Sequence, residues 1–158
     1  MELLWVVLIS GVIIAVAVGV GLKRNKRLID EGKIIKRDIS FIECAEIFNL
    51  ENAEFETVLA KLRGNISDEK LAWNKKEDGV VFKSGQGWTA QLTLNGKTGN
   101  TYEYCFLFTT WQTRKGMPIG AVTMNMLLTS VEKTFLSLDS NTQVNSVKQK
   151  LRTKTSFL

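Results

Sequence analysis

The sequence predicts an α+β protein. An N-terminal single transmembrane helix leads into a small soluble domain of two helices, an antiparallel meander of about three strands and a C-terminal amphipathic helix. Three observations predict this. Leu3 to Leu22 carries no charged residue and is followed at once by Lys23, Arg24, Lys26 and Arg27. From about residue 79 the apolar pattern takes a period of two, as in half-buried strands. From Met124 to Leu138 apolar residues return at helical spacing. Four segments follow: 1–22 as transmembrane anchor, 23–38 as basic juxtamembrane connector, 39–138 as the α+β domain and 139–158 as a polar, basic tail.

For Leu3 to Leu22, a helical rise of 1.5 Å per residue covers about 30 Å, the thickness of a bilayer's hydrocarbon core. A cleaved signal peptide is the competing reading, but that needs a basic n-region and a shorter apolar core. Here Met1-Glu2 precedes the apolar run and the cations follow it. The positive-inside tendency places the N-terminus outside and everything from Lys23 onward in the cytoplasm of a cell membrane. Gly11, Ala15 and Gly19 recur every four residues, a small-residue face through which two such helices could pack as a homodimer. Lys23, Arg24, Lys26 and Arg27 are then the groups that meet anionic membrane lipids.

In the connector, Gly32 is the weak point of a charged run that extends to Asp38. Ser40 and Glu43 fit a capping box opening a short helix to about Phe48. A second helix begins near Asn52, its stripe formed by Phe55, Val58, Leu59 and Leu62, and closes at Arg63-Gly64. Ser67 to Trp73 reads as one further helical turn. Val80 to Lys83 is a short strand, and Trp88 to Leu94 a second, with Trp88, Ala90, Leu92 and Leu94 on one face. Asn95-Gly96 is a strong turn signal and Gly99-Asn100 a second one. Thr101 to Thr113 is the third strand, with Tyr102, Tyr104, Phe106 and Phe108 on one face and Cys105, Leu107 and Trp111 on the other. The Met124–Leu138 helix is expected to pack on that aromatic face.

Chemistry is harder to find. The formal net charge is +5, but the cations concentrate at the two ends, around 23–27 and 148–154, leaving a slightly acidic middle. That argues against a nucleic-acid footprint, as does a would-be recognition helix opening on Glu54 and Glu56. There is no histidine, so the commonest general base and metal ligand are both missing. Cys44 and Cys105 are too far apart for a metal motif and read as small core residues. The glycines of Gly85-Gln86-Gly87 lead into a strand, which makes them a hairpin turn and not a phosphate cradle. No catalytic, cofactor-binding or metal-ligating residue is assigned, and no cofactor is expected.

What remains is the aromatic sheet. Core packing is the plain reading of its rings. The sharper one makes Trp88, Trp111, Tyr102 and Tyr104 an exposed interaction patch, since Trp and Tyr favour interfaces. The function expected is a non-enzymatic, membrane-anchored protein whose cytosolic domain binds an unidentified protein partner or assembles with itself. The alternative is a sensor holding an apolar ligand or lipid in a pocket between sheet and helix.

Overall fold

In the computed structural model the described residues are 20–21, 23–66 and 71–149, with 155–156 described for their backbone. The chain divides into two units, Met1–Lys36 and Arg37–Leu158. In the first, residues 23–30 form a helix, α1. It ends where Lys33 N–H reaches back to the Leu28 carbonyl at 2.8 Å, with Gly32 in the left-handed region at φ 65°. Gly32 thus closes a helix C-terminus, a position that favours glycine for want of a Cβ.

Most of Leu3–Leu22, including Gly11, Ala15 and Gly19, lies outside the described residues. Among the described residues, no helix is long and apolar enough to cross a membrane. The expected fold class is therefore corrected: among the described residues, the membrane, single-pass and signal-anchor features find no helix to carry them. The helical stretch that is described carries Lys23, Arg24, Lys26, Arg27 and Asp30 along its length, a charge density that excludes it from hydrocarbon.

The second unit is built on a six-stranded antiparallel sheet in the order β2-β3-β4-β5-β1-β8. Its strands are β1 (Cys44–Glu51), β2 (Leu71–Lys76), β3 (Gly79–Ser84), β4 (Trp88–Thr98), β5 (Thr101–Thr110) and β8 (Gln143–Lys148). A small second sheet joins β6 (Gln112–Arg114) to β7 (Met117–Pro118) and, in parallel, to β9 (Thr155–Ser156). Helices α2 (Phe55–Asn65) and α3 (Ala121–Leu138) contribute their buried residues to one core with the sheet.

That core follows from the period-two pattern. Phe48 and Leu50 of β1, Ala90 and Leu92 of β4, and Tyr102, Tyr104, Phe106 and Phe108 of β5 all turn to the helix side and are buried. Phe135 of α3 meets Phe48 at 4.5 Å and Tyr104 at 5.3 Å between ring centroids. The α2 stripe of Phe55, Val58, Leu59 and Leu62 is buried as its spacing requires.

The expected meander of about three strands is too small, and three sequence readings account for the difference. Ser40–Phe48 is not a helix: a 3-10 turn at Ile39–Glu43 gives way to β1. The turn is capped by Asp38, whose carboxylate accepts from Ser40 N–H at 2.9 Å. Apolar residues on both faces of β1 mimic a helical stripe, and β1 becomes a strand because β5 and β8 flank it. Leu71–Trp73 belongs to β2, not to a helical turn. Within the tail, residues 143–148 form β8. The Asn95-Gly96 turn is also absent: β4 runs on to Thr98, and the register shifts between Leu94 and Gly96 as in a β-bulge. The hairpin turns at Gly99-Asn100, where Gly99 takes φ 61°.

Candidate functional site

Charged side chains are seldom buried unless paired. Glu46 and Glu132 are its two buried carboxylates among the described residues, at 5% and 9% exposure. Glu46 lies on β1 between Ala45 and Ile47, with the same strand parity as Phe48 and Leu50, and so points to the helix side. Glu132 lies on α3 four residues after Leu128 and three before Phe135, inside the buried stripe.

Each carboxylate has a partner from a distant segment. The Arg37 guanidinium donates through Nη2 to Glu132 Oε2 and through Nε to Asn125 Oδ1 at 3.1 Å. Thr129 Oγ1 donates to the same Asn125 oxygen at 3.2 Å. Ser146 of β8 donates its hydroxyl to Glu46 Oε2 at 2.5 Å. Burial pushes the Glu132 carboxyl above its ordinary value, Arg37 pulls it back, and the nearby Glu46 pushes it up again. The cluster therefore ties together the entry to the domain, the central helix, strand β1 and the edge strand β8.

Chemically the cluster is closed on itself. Guanidinium and hydroxyl donors hold the carboxylates, and the cluster contains no thiol to act as nucleophile. Among the described residues, no group of three or more His, Cys, Asp or Glu side chains could hold a metal ion. Cys44 and Cys105 are both free and half-buried. Cys105 sits on the sheet face opposite the helices, and burial pushes its thiol up, away from reactivity at neutral pH.

The structure separates the sequence-predicted site residues. Lys23, Arg24, Lys26 and Arg27 are exposed on α1, with Arg27 paired to Glu31 at 3.1 Å. The aromatic patch does not exist as a surface: Trp88 and Trp111 are 2% and 3% exposed, and Tyr102 and Tyr104 are buried as well. Trp88 donates its indole N–H to Thr123 Oγ1 at 3.1 Å and meets the Phe108 ring edge-on. Tyr104 donates its hydroxyl to the Ala53 carbonyl at 2.6 Å. Trp88 and Tyr104 can build the core because the polar tip of each finds a partner there.

Arg37, Glu46, Glu132 and Ser146 escaped the sequence reading. A glutamate within a buried helical stripe was the available signal at Glu132. No family model matches the chain, and comparison with curated proteins finds no match.

The second face of the sheet turns away from α2 and α3. On that face Ile47, Val81, Cys105 and Leu107 are half-buried, and Ala45 is fully buried. The pairings Ala45↔Leu107, Leu107↔Gln91 and Gln91↔Val81 place three of the sheet's apolar side chains in one row with Gln91 between them. Every residue of β8 is exposed.

Proposed function

We propose that residues 37–158 form a non-enzymatic protein-interaction or assembly domain, acting through the face and edge of its sheet rather than through its aromatic rings. One observation carries this reading: α2 and α3 pack against a single face of the sheet, while on the other face Leu107, Gln91 and Val81 are only half-buried and strand β8 is exposed along its length. Surface of this kind marks interaction sites more often than plain solvated surface does. The polar groups of the buried cluster are engaged with one another, which favours a structural role over turnover. The space between sheet and helices, where a ligand-sensing reading would place an apolar molecule, is filled by Phe48, Tyr104 and Phe135.

The test is photo-crosslinking in the native cell from probes at Val81 and Leu107. The expected result is a discrete crosslinked species, either with a second protein or with another copy of the chain. Recovery of uncrosslinked chain alone from both positions overturns the reading.

A further inference from the structure

We infer that the tip of the β6–β7 hairpin is a lipid contact: Arg114 and Lys115 meet the headgroups of an anionic bilayer surface while Met117 and Ile119 enter the acyl boundary. The contact is peripheral, and the hairpin does not cross the bilayer. It lies apart from the sheet face and the β8 edge proposed above for protein partners. The hairpin turns at Lys115-Gly116, between the paired residues Arg114 and Met117. Both turn residues have positive φ, 50° and 76°, as a type I′ turn requires. Strand alternation then sorts the side chains. Thr113 faces inward and is buried. Arg114, Met117 and Ile119 share the opposite face, with Ile119 N–H donating to the Gln112 carbonyl at 2.8 Å. On that outer face Met117 is 60% and Ile119 38% exposed. Two large apolar side chains therefore stand where alternation places polar ones.

Charge and shape select the occupant. Between Asp78 and Glu132 the sequence holds one carboxylate, Glu103. Glu103 lies opposite Asn49 and Gly96, at the end of β5 remote from the hairpin. The near end is cationic. Lys83 leads into the turn at Gly87, which abuts the Gln112 side chain of β6, and α3 begins beside it with no acidic residue in its first turn. Lys83, Arg114 and Lys115 are all exposed there. Among the described residues no ion pair engages any of the three. Charge of one sign beside exposed apolar side chains is the pattern that holds peripheral segments on anionic lipid. A nucleic acid would satisfy the cations and leave Met117 and Ile119 in water. An added peptide strand is disfavoured as well: β7, the outer strand, has two residues, and its Pro118 has no N–H to offer. A partner helix needs a groove, whereas a hairpin turn is convex. A fluid interface needs neither edge nor groove.

The experiment presents the full-length chain with vesicles of mixed phosphatidylserine and phosphatidylcholine, and with phosphatidylcholine alone. An environment-sensitive fluorophore is attached through M117C in a C44S/C105S background. Hydrogen exchange of residues 112–119 is followed in the wild type in parallel. A blue-shifted, brighter fluorophore and slowed exchange are expected on the anionic vesicles only, both weakened by salt. R114E/K115E should weaken the anionic response by about tenfold or more, while K76E, at the far end of the main sheet, leaves it unchanged. If the labelled chain loses the native circular dichroism spectrum, the wild-type exchange carries the same test. No response, an equal response on phosphatidylcholine, or one indifferent to R114E/K115E overturns the inference. So does a photo-crosslinker at Met117 that captures a protein where the vesicles give no response. Each of these results leaves the interaction reading to its own crosslinks from Val81 and Leu107, so the two can fail separately.

Discussion

Arg37 and Glu132, ninety-five positions apart in sequence, form a largely buried ion pair that fixes the entry to the domain against its central helix. Both side chains have little solvent, at 16% and 11% exposure, so removing one partner leaves the other charge poorly compensated. Arg37→Met should therefore destabilise the domain by on the order of 3 kcal/mol. Replacing both, as R37M/E132M, should restore much of that loss, because two apolar side chains need no compensation. Urea unfolding of the two single variants and the double one completes the cycle. A double variant as unstable as the sum of the singles would show that the pair is not coupled.

Acid stability should carry the signature of Glu132. Its folded-state value is raised above the ordinary 4.5, chiefly by burial. The folded protein then keeps a proton that the unfolded chain has released. This contribution to stability is fully present below pH 4.5 and is lost as pH rises through the raised value. Asp38 and Asp139 run the other way. Backbone donors hold both below the ordinary 3.8, so their contribution is present above 3.8 and lost as pH falls through the lowered values. The melting temperature of wild type should consequently gain on that of E132Q as pH falls from neutral to 4.5, a difference in which the shared aspartates cancel. A gap that stays constant across this range would contradict the assignment.

Tyr104 gives a cleaner hydrogen-bond test. Its ring belongs to the core, and its hydroxyl donates to the Ala53 carbonyl just before α2. Tyr104→Phe keeps the ring and strands that carbonyl, at a cost of about 1–2 kcal/mol. The midpoint of denaturant unfolding should fall with an unchanged slope. Burial also pushes the phenol well above its usual value, so absorbance at alkaline pH should show this tyrosine ionising only as the protein unfolds.

Gly120 should tolerate nothing larger. It precedes α3 with φ 79°, and a Cβ there would lie 2.5 Å from Gln86 Oε1 and 2.9 Å from Trp88 Nε1. Those two groups are linked through Thr123, which receives the indole N–H and donates to Gln86 at 2.8 Å. Gly120→Ala should cost about 1–3 kcal/mol from the backbone conformation alone, and the contact with Trp88 adds to it. A shift in tryptophan emission, alongside a lowered melting temperature, would report the displaced indole.

Local pattern made several elements legible. The α2 stripe, the α3 stripe and the aromatic alternation of β5 each show in spacing, because burial on one face imposes a period of 3.6 or 2 on the residues themselves. The same logic hid β1. Its apolar residues face both ways, and its one internal carboxylate, Glu46, reads as solvated until Ser146 is placed beside it. The Asn95-Gly96 signal was locally sound for a turn, but pairing with β5 on both sides of it made a bulge instead. The aromatic patch failed for a related reason: Trp88 and Tyr104 have polar tips that suit a surface, and Thr123 and the Ala53 carbonyl satisfy those tips inside the core.

By itself the sequence determined the α+β class, the helices over 55–65 and 121–138 in outline, and the absence of histidine, since composition and periodicity are properties of the chain alone. Tertiary structure decided the rest: that residues 143–148 complete a six-stranded sheet, that Arg37 meets Glu132, and that Ser146 meets Glu46. The physical reason is common to both. An edge strand pairs through backbone groups that every residue carries, and a buried ion pair joins residues ninety-five positions apart, so neither leaves a periodic mark in the residues nearby.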